Sequence, residues 1–262
     1  MQTTRRQTLM LSLAMLAGAG SVQPLRADDA WQSGRVVGEG EDALERELAD
    51  GTLLRLAGIL PAPGRGWTDR LAGALAALLP KGAGLDYRAL ATDRYGRTLA
   101  VLAPPAGSAL PNLQSLLLTE GLAWAWPEPE AIGLHDGWLA VEARARVAAA
   151  GLWGDAGGGL PQPVDDPKLE AALGRPNLWR GRILRVERRR GWTYCDCGAD
   201  WKTDASISIP DRLLKPLAAR GVAMDALAGR VVEARGVPIW RYGPALELWH
   251  PAQLVVLDGA ES

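Results

Sequence analysis

Leu44-Glu45-Arg46-Glu47-Leu48, then Asp50-Gly51, then Leu53-Leu54-Arg55-Leu56: two short runs of apolar residues interleaved with charge, joined by an Asp-Gly pair, read as a β-hairpin. The same character extends outward from Val36 to Ile59. Beyond Pro61 to Gly66, Thr68 is a candidate helix cap, and Leu71, Leu75, Leu78 and Leu79 follow at helical spacing, so a helix is expected to end before Pro80-Lys81-Gly82. Strand-like runs follow at Gly84 to Leu90 and Thr98 to Leu102, connected by Asp93-Arg94-Tyr95-Gly96-Arg97. A second helix fits Asn112 to Glu120 with Gly121 closing it, and a third fits Leu134 to Ala150 with Gly151 closing it.

Strands wrapped with a few helices suit a small closed barrel, because closure hides the edges that a short antiparallel sheet exposes. From Gly154 to Lys168 the composition turns to Gly-Gly-Gly, Pro-Gln-Pro and Asp-Asp-Pro, which reads as a linker. Further short strands are expected at Gly181 to Val186, Trp192 to Cys197, Ala205 to Ile209, Val231 to Val237 and Leu246 to Trp249. The chain is thus expected to be mainly β with helices (α+β): an amino-terminal segment 1–27, a first domain 28–155, a linker 156–170 and a second β-rich domain 171–259.

The amino terminus carries Arg5-Arg6, an apolar run from Leu9 to about Gly20, and Leu25-Arg26-Ala27 before Asp28-Asp29. That order fits a cleaved export signal of the twin-arginine kind and a periplasmic or secreted protein; the general secretory route uses the same logic. The apolar run is shorter than the roughly 20 residues a spanning helix needs, so no membrane span is expected after cleavage. Removing residues 1–27 deletes Arg5, Arg6 and Arg26 and no acid, which takes the formal charge from −1 to −4. Any nucleic-acid-binding face must therefore be local. The two cysteines, Cys195 and Cys197, with His only at 135 and 250, support neither a zinc site nor a disulfide framework. In a strand both thiols share a face and would be strained as a bridge, so structural thiols are the first reading and a redox pair the second. His250 reads as a surface or packing residue.

Three ordered segments resemble the staphylococcal nuclease, or thermonuclease, family: Asp50-Gly51 through Arg55-Leu56-Ala57-Gly58-Ile59; Asp93-Arg94-Tyr95-Gly96-Arg97; and Gly121-Leu122-Ala123 through Glu142-Ala143-Arg144-Ala145 to Gly151-Leu152-Trp153. The resemblance implies an OB-type five-stranded barrel with three helices, bound calcium, and hydrolysis of phosphodiesters in nucleic acid. It also implies roles: Arg55 and Arg97 as the catalytic guanidinium pair, Tyr95 beside the bound nucleotide, and Glu41 or Asp42 as a metal ligand. The β-rich tail resembles that of some exported members and is expected to be a second OB-like barrel.

Charge that builds on phosphoryl oxygens in hydrolysis is stabilised by fixed cations, and the planar guanidinium holds two oxygens at once. The reaction further needs a hard cation on oxygen ligands and a carboxylate to activate water. Where the family places those carboxylates, after the Arg-Leu-x-Gly-Ile stretch, this chain reads Leu60-Pro61-Ala62-Pro63. Catalysis is therefore expected to be weak or absent, leaving phosphate or nucleic-acid binding. Calcium becomes doubtful with it, although Glu41, Asp42 or a second-domain carboxylate could substitute. A second candidate surface combines arginines with tryptophans: Trp179-Arg180-Gly181-Arg182, Arg185, Arg188-Arg189-Arg190 and Trp192. Its alternative is a hairpin with a solvated tip and core-facing tryptophans, and Trp240-Arg241-Tyr242 and Trp249-His250 read the same way. The competing function is a non-catalytic envelope module whose partner is a protein or an anionic polymer.

Overall fold

The structure is a computed structural model and describes residues 30–154, 161–200 and 202–257. The expected export signal, residues 1–27, lies outside the described residues. The hairpin is present as β2 (Glu45–Leu48) and β3 (Leu53–Leu56), and Gly51 at its turn takes φ +86°, open to glycine and strained for most residues. With β1 (Gln32–Glu39), β5 (Gly84–Thr92) and β6 (Thr98–Leu102) these strands close into a barrel in the order β1-β2-β3-β6-β5, with β5 returning to β1. Every pairing is antiparallel except β3 with β6. Strands β4 (Ile59–Leu60) and β7 (Trp124–Ala125) pair outside the barrel.

The three expected helices are α1 (Arg65–Leu78), α2 (Leu113–Thr119) and α3 (Ile132–Val147). Thr68 is not the cap of α1; the cap position is Gly64, and Thr68 sits inside the first turn with its hydroxyl on the Gly64 carbonyl at 3.5 Å. Burial of Trp67 beside Ala62, Trp124 and Leu178 carries the helix one turn further back than the leucine spacing alone requires. Asn112, expected as the first residue of the second helix, is the cap of α2, its Oδ1 accepting from the Ser115 amide at 2.8 Å. The same oxygen accepts from the Trp138 indole at 3.2 Å, tying α2 to α3. Fully buried Gln114 donates to the Ala100 carbonyl and accepts from the Leu102 amide, closing the end of the barrel with its own amide. Helix α3 stops three residues early because Ala149, not Gly151, takes the first left-handed position, with the Ala150 amide on the Ala145 carbonyl. At Gly58, φ +75°, a Cβ would fall 1.8 Å from the Trp138 ring, so only glycine lets that indole close the core.

The β-rich second half is also present, with its strands in two sheets rather than one closed ring. One sheet runs β10 (Arg185–Arg189), β11 (Trp192–Asp196), β12 (Ser206–Pro210), β15 (Pro244–Glu247), β14 (Ile239–Trp240). The other runs β16 (Leu254–Leu257), β13 (Val231–Gly236), β9 (Asn177–Arg182), β8 (Gln162–Pro163). The run Gly181 to Val186, expected as one strand, splits because the chain crosses between sheets at Ile183, which is buried in their shared core. Part of the expected linker belongs to this half: Gln162 and Pro163 pair with β9, and Leu169 enters the core. Cys195 and Cys197 are free thiols, and burial pushes each up to about 12, which keeps them protonated.

A seam of buried charge joins the halves. Glu142 on α3, 2% exposed, accepts from Arg235 of β13 at 2.9 and 3.1 Å, from Arg146 at 2.6 Å and from the Ala125 amide at 2.7 Å. Arg235 also donates to the Ala125 carbonyl, and Arg146 reaches Glu233 of β13 at 2.6 Å. Arg220, after the short helix α4 (Leu214–Ala219), pairs with Asp136 at 2.7 Å. Among the described residues no helix is long and apolar enough to cross a membrane.

Candidate functional site

The residues that the resemblance singles out gather at one end of the barrel. Arg55 enters from β3 beside β2, and Arg97 enters from the turn just before β6. Arg55 is buried, and its Nη1 donates to Glu128 Oε1 at 2.8 Å, while Asp42 Oδ2 stands 4.0 Å from its Nε. The other Glu128 oxygen accepts from the Gly58 amide at 2.9 Å, so this carboxylate is locked over the arginine. Arg97 is held from both sides, by Asp93 through Nε at 2.7 Å and Nη2 at 2.6 Å, and by Glu45 through Nη1 at 2.6 Å. Asp93 also accepts from the Tyr95 and Arg97 amides, which builds the loop around its carboxylate.

These pairs shift the groups as charge pairing requires. Burial raises the carboxyls of Glu45 and Asp93 while Arg97 lowers them, and the arginine prevails in both. Burial lowers the Arg97 guanidinium, and its two carboxylate partners more than restore it. Tyr95 is 66% exposed, with the Arg94 and Arg97 guanidiniums 4.8 and 5.0 Å from its ring and its hydroxyl accepting from Arg94 at 2.6 Å. The shallow depression there is lined by Glu39, Glu41, Glu45 and Glu47 with Tyr95 and Arg97. Phosphate would meet a net negative wall.

Calcium asks for six to eight oxygens converging on one point. Glu41 is exposed, and the Asp42 carboxylate is engaged by the Leu44 amide and faces Arg55. Leu60 pairs with Trp124 and packs on the core, and Pro63 is exposed. Among the described residues no three His, Cys, Asp or Glu side chains group as a metal site. The donor set does not fit the ion.

Glu45, Asp93 and Glu128 are the site residues that sequence reading missed. Asp93 and Glu45 were visible as acids inside the quoted motifs. Glu128, 73 residues from Arg55, sits in Pro-Glu-Pro-Glu and carries no local signal.

The arginine-tryptophan run of the second half divides. Trp179 is fully buried, as the core-facing alternative requires, and Trp192 is half-buried. Arg182 donates to the Gly229 carbonyl, Arg185 pairs with Asp196 and Arg188 with Asp211. The Arg189 and Arg190 side chains are exposed and pair with no described residue. His250 accepts from the Ala252 amide through Nδ1, a cap on a single 3₁₀ turn.

Comparison with known proteins places residues 77–155 in a match to the family described as Staphylococcal nuclease homologue. No curated protein matches. Among solved structures the chain is similar to the extended Tudor domain of Drosophila melanogaster Tudor-SN (p100), at 21% identity and a TM-score of 0.35 over 39% of this chain. That match spans 47% of the solved chain, about half its length. The family match over residues 77–155 falls on the half of the molecule that holds the five-stranded barrel and the Asp-Arg-Tyr-Gly-Arg turn, and it is this half that is similar to the staphylococcal nuclease homologues.

Proposed function

We propose that this protein binds nucleic acid without cutting it, and that its nuclease-type pocket is closed by the protein's own carboxylates. The observation that carries this reading is the occupation of both guanidiniums, Arg55 by Glu128 at 2.8 Å and Arg97 by Glu45 and Asp93 at 2.6 Å. All three nitrogens of Arg97 face carboxylates and Arg55 is held through Nη1, so the pair has few donors left to aim where phosphoryl charge develops. The positions that the resemblance reserves for metal and base carry Leu60 and Pro63, and loss of general-base help alone costs a factor of about 10² to 10⁴. What supports nucleic acid as the ligand is the family match of residues 77–155 together with the distribution of charge. Residues 161–257 carry 15 Lys and Arg against 11 Asp and Glu, a net of +4, while residues 30–154 carry 11 against 14, a net of −3. The reading includes export, which rests on the Arg5-Arg6 and apolar pattern of the amino terminus.

The decisive assay incubates purified protein with single-stranded and duplex DNA, with calcium and then with chelator, beside an Arg55→Ala/Arg97→Ala control. Cutting at the level of the control is expected; calcium-dependent cutting that the control abolishes would overturn the reading. A second expected outcome concerns the closing carboxylate. Glu128→Ala removes a charge-assisted pair and lowers stability by about 1.5–3 kcal/mol. It also exposes Arg55, so millimolar inorganic phosphate raises the melting temperature of the variant by more than that of the native protein. Equal phosphate shifts in the two proteins would mean that Glu128 closes nothing.

A further inference from the structure

The open face of the second half carries a different arrangement. On β10, Arg185, Glu187 and Arg189 alternate onto one face, and their cross-strand partners on β11 are Asp196, Tyr194 and Trp192. The next strand continues the rows with Ser206 and Ser208. The β14–β15 turn, with Arg241 and Tyr242, stands over this face and encloses a cleft of about 450 Å³, a size suited to a nucleotide unit. Tyr242 is 69% exposed and Trp240 beside it 55%.

Two features set the cleft apart from an ordinary charged sheet. Its floor holds Ser208, 1% exposed, whose hydroxyl has no hydrogen-bond partner, although a buried polar group is normally satisfied. Its rim holds Arg189 and Arg190, with Arg190 at φ +50° in the β10–β11 turn, so two adjacent guanidiniums pair with no described residue. One of the two acids is answered within the site: Asp196 is held by Arg185 at 2.6 and 2.8 Å, while Glu187 faces the same cleft. Of the four lining arginines, Arg185 is paired with Asp196 and Arg241 with Glu247, which leaves Arg189 and Arg190 against Glu187.

We propose that this cleft binds single-stranded nucleic acid, resting on the non-hydrolytic reading above but assigning contact to the second half rather than to the closed nuclease pocket. Arg189 and Arg190 take consecutive phosphates. Tyr194 lines the cleft, and Trp192, opposite Arg189 just beyond the lining and two positions or about 7 Å along β11, continues the same face, so the two offer platforms for successive bases. Ser208 and Glu187 supply a hydroxyl and an acceptor for base edges, and Glu187 favours a base with an exocyclic amine, such as cytosine. A strand fits better than an acidic peptide because two aromatic platforms beside the cations would be idle with carboxylates.

The test is fluorescence anisotropy of a labelled oligodeoxycytidine of about 12 nucleotides with the full chain. Arg189→Gln/Arg190→Asn, in which Asn keeps the left-handed turn, is expected to weaken binding at least tenfold and to flatten the log-salt slope by about 1.4, the value for two lost phosphates on a single strand. Tyr194→Ala is expected to cost about tenfold with little change in slope. Both variants are expected to melt within a few degrees of the native protein, since the changed side chains lie on the outer face. Native-like binding by the folded arginine variant would overturn the cleft while leaving the nucleic-acid reading intact; no oligonucleotide binding by the native protein would sink both. Displacement of the strand by deoxycytidine monophosphate at equal nucleotide concentration would overturn the strand in favour of a free nucleotide. Displacement by polyglutamate at equal charge would overturn it in favour of an acidic peptide.

Discussion

Glu142→Gln lowers the melting temperature by about 10 °C: a buried ion pair broken from one side costs about 3–5 kcal/mol, and each kcal/mol shifts a chain of this size by about 2–4 °C. Glu142 is 2% exposed and serves two arginines and a backbone amide at once. Burial alone would raise its carboxyl, yet Arg235 and Arg146 hold it below the usual range, so the charged form belongs to the native state. A glutamine keeps the shape but turns an amide NH2 toward groups that are themselves donors, and Arg235, 3% exposed, loses the carboxylate it pairs with and keeps the Ala125 carbonyl. Because Arg235 lies on β13 and Glu142 on α3, the damage falls on the seam between the halves. Scanning calorimetry is expected to show the single native transition separating into two. Glu142→Leu/Arg235→Met, which removes both charges, is expected to recover most of the loss, since an apolar pair of similar volume can replace a buried ion pair at little cost. A shift under about 2 °C in the single variant would mean that the seam contributes little to stability.

The second large effect is acid sensitivity through His135. Its ring is 1% exposed and neither nitrogen has a partner among the described residues. Burial lowers the imidazole to about 3; Arg235 adds to this, while Glu142 and Asp136 oppose it and His250 lowers it slightly. In the unfolded chain the group titrates near 6.5. Above about pH 6.5 both states are neutral and stability is complete. As the pH falls the unfolded state takes up a proton that the native state refuses, and stability is lost at about 1.4 kcal/mol per unit until about pH 3. Between about pH 7 and pH 4.5, before most carboxylates protonate, the loss is about 2.5 kcal/mol. Urea midpoints at those two pH values should therefore separate native protein from His135→Leu, the variant showing the shallower decline. Parallel declines would show that the imidazole is hydrated and protonates in the native state.

Much of the barrel was legible because its information is local. The Asp50-Gly51 turn, the capping Asn112 and the closing Gly121 act within a few residues, and each element appeared where those signals place it. The errors at α1 and α3 arose where tertiary contact outranked local chemistry, in the burial of Trp67 and the left-handed Ala149. The expected site residues did gather around one depression, Arg97 and Tyr95 lining it beside Glu41, with Arg55 and Asp42 next to them. Their partners were not legible, because the carboxylate on Arg55 comes from 73 residues away.

From its sequence alone this chain declares a nuclease-like barrel, a β-rich second half and the loss of Leu60 and Pro63 as acids, since strand period, turn residues and a substituted motif are written in neighbouring positions. The occupied guanidiniums, the burial of Glu142 against Arg235 and the two unpaired arginines over a buried Ser208 belong to the tertiary structure. Ion pairing depends on distances of a few ångströms between groups far apart in the chain, and no local pattern encodes them.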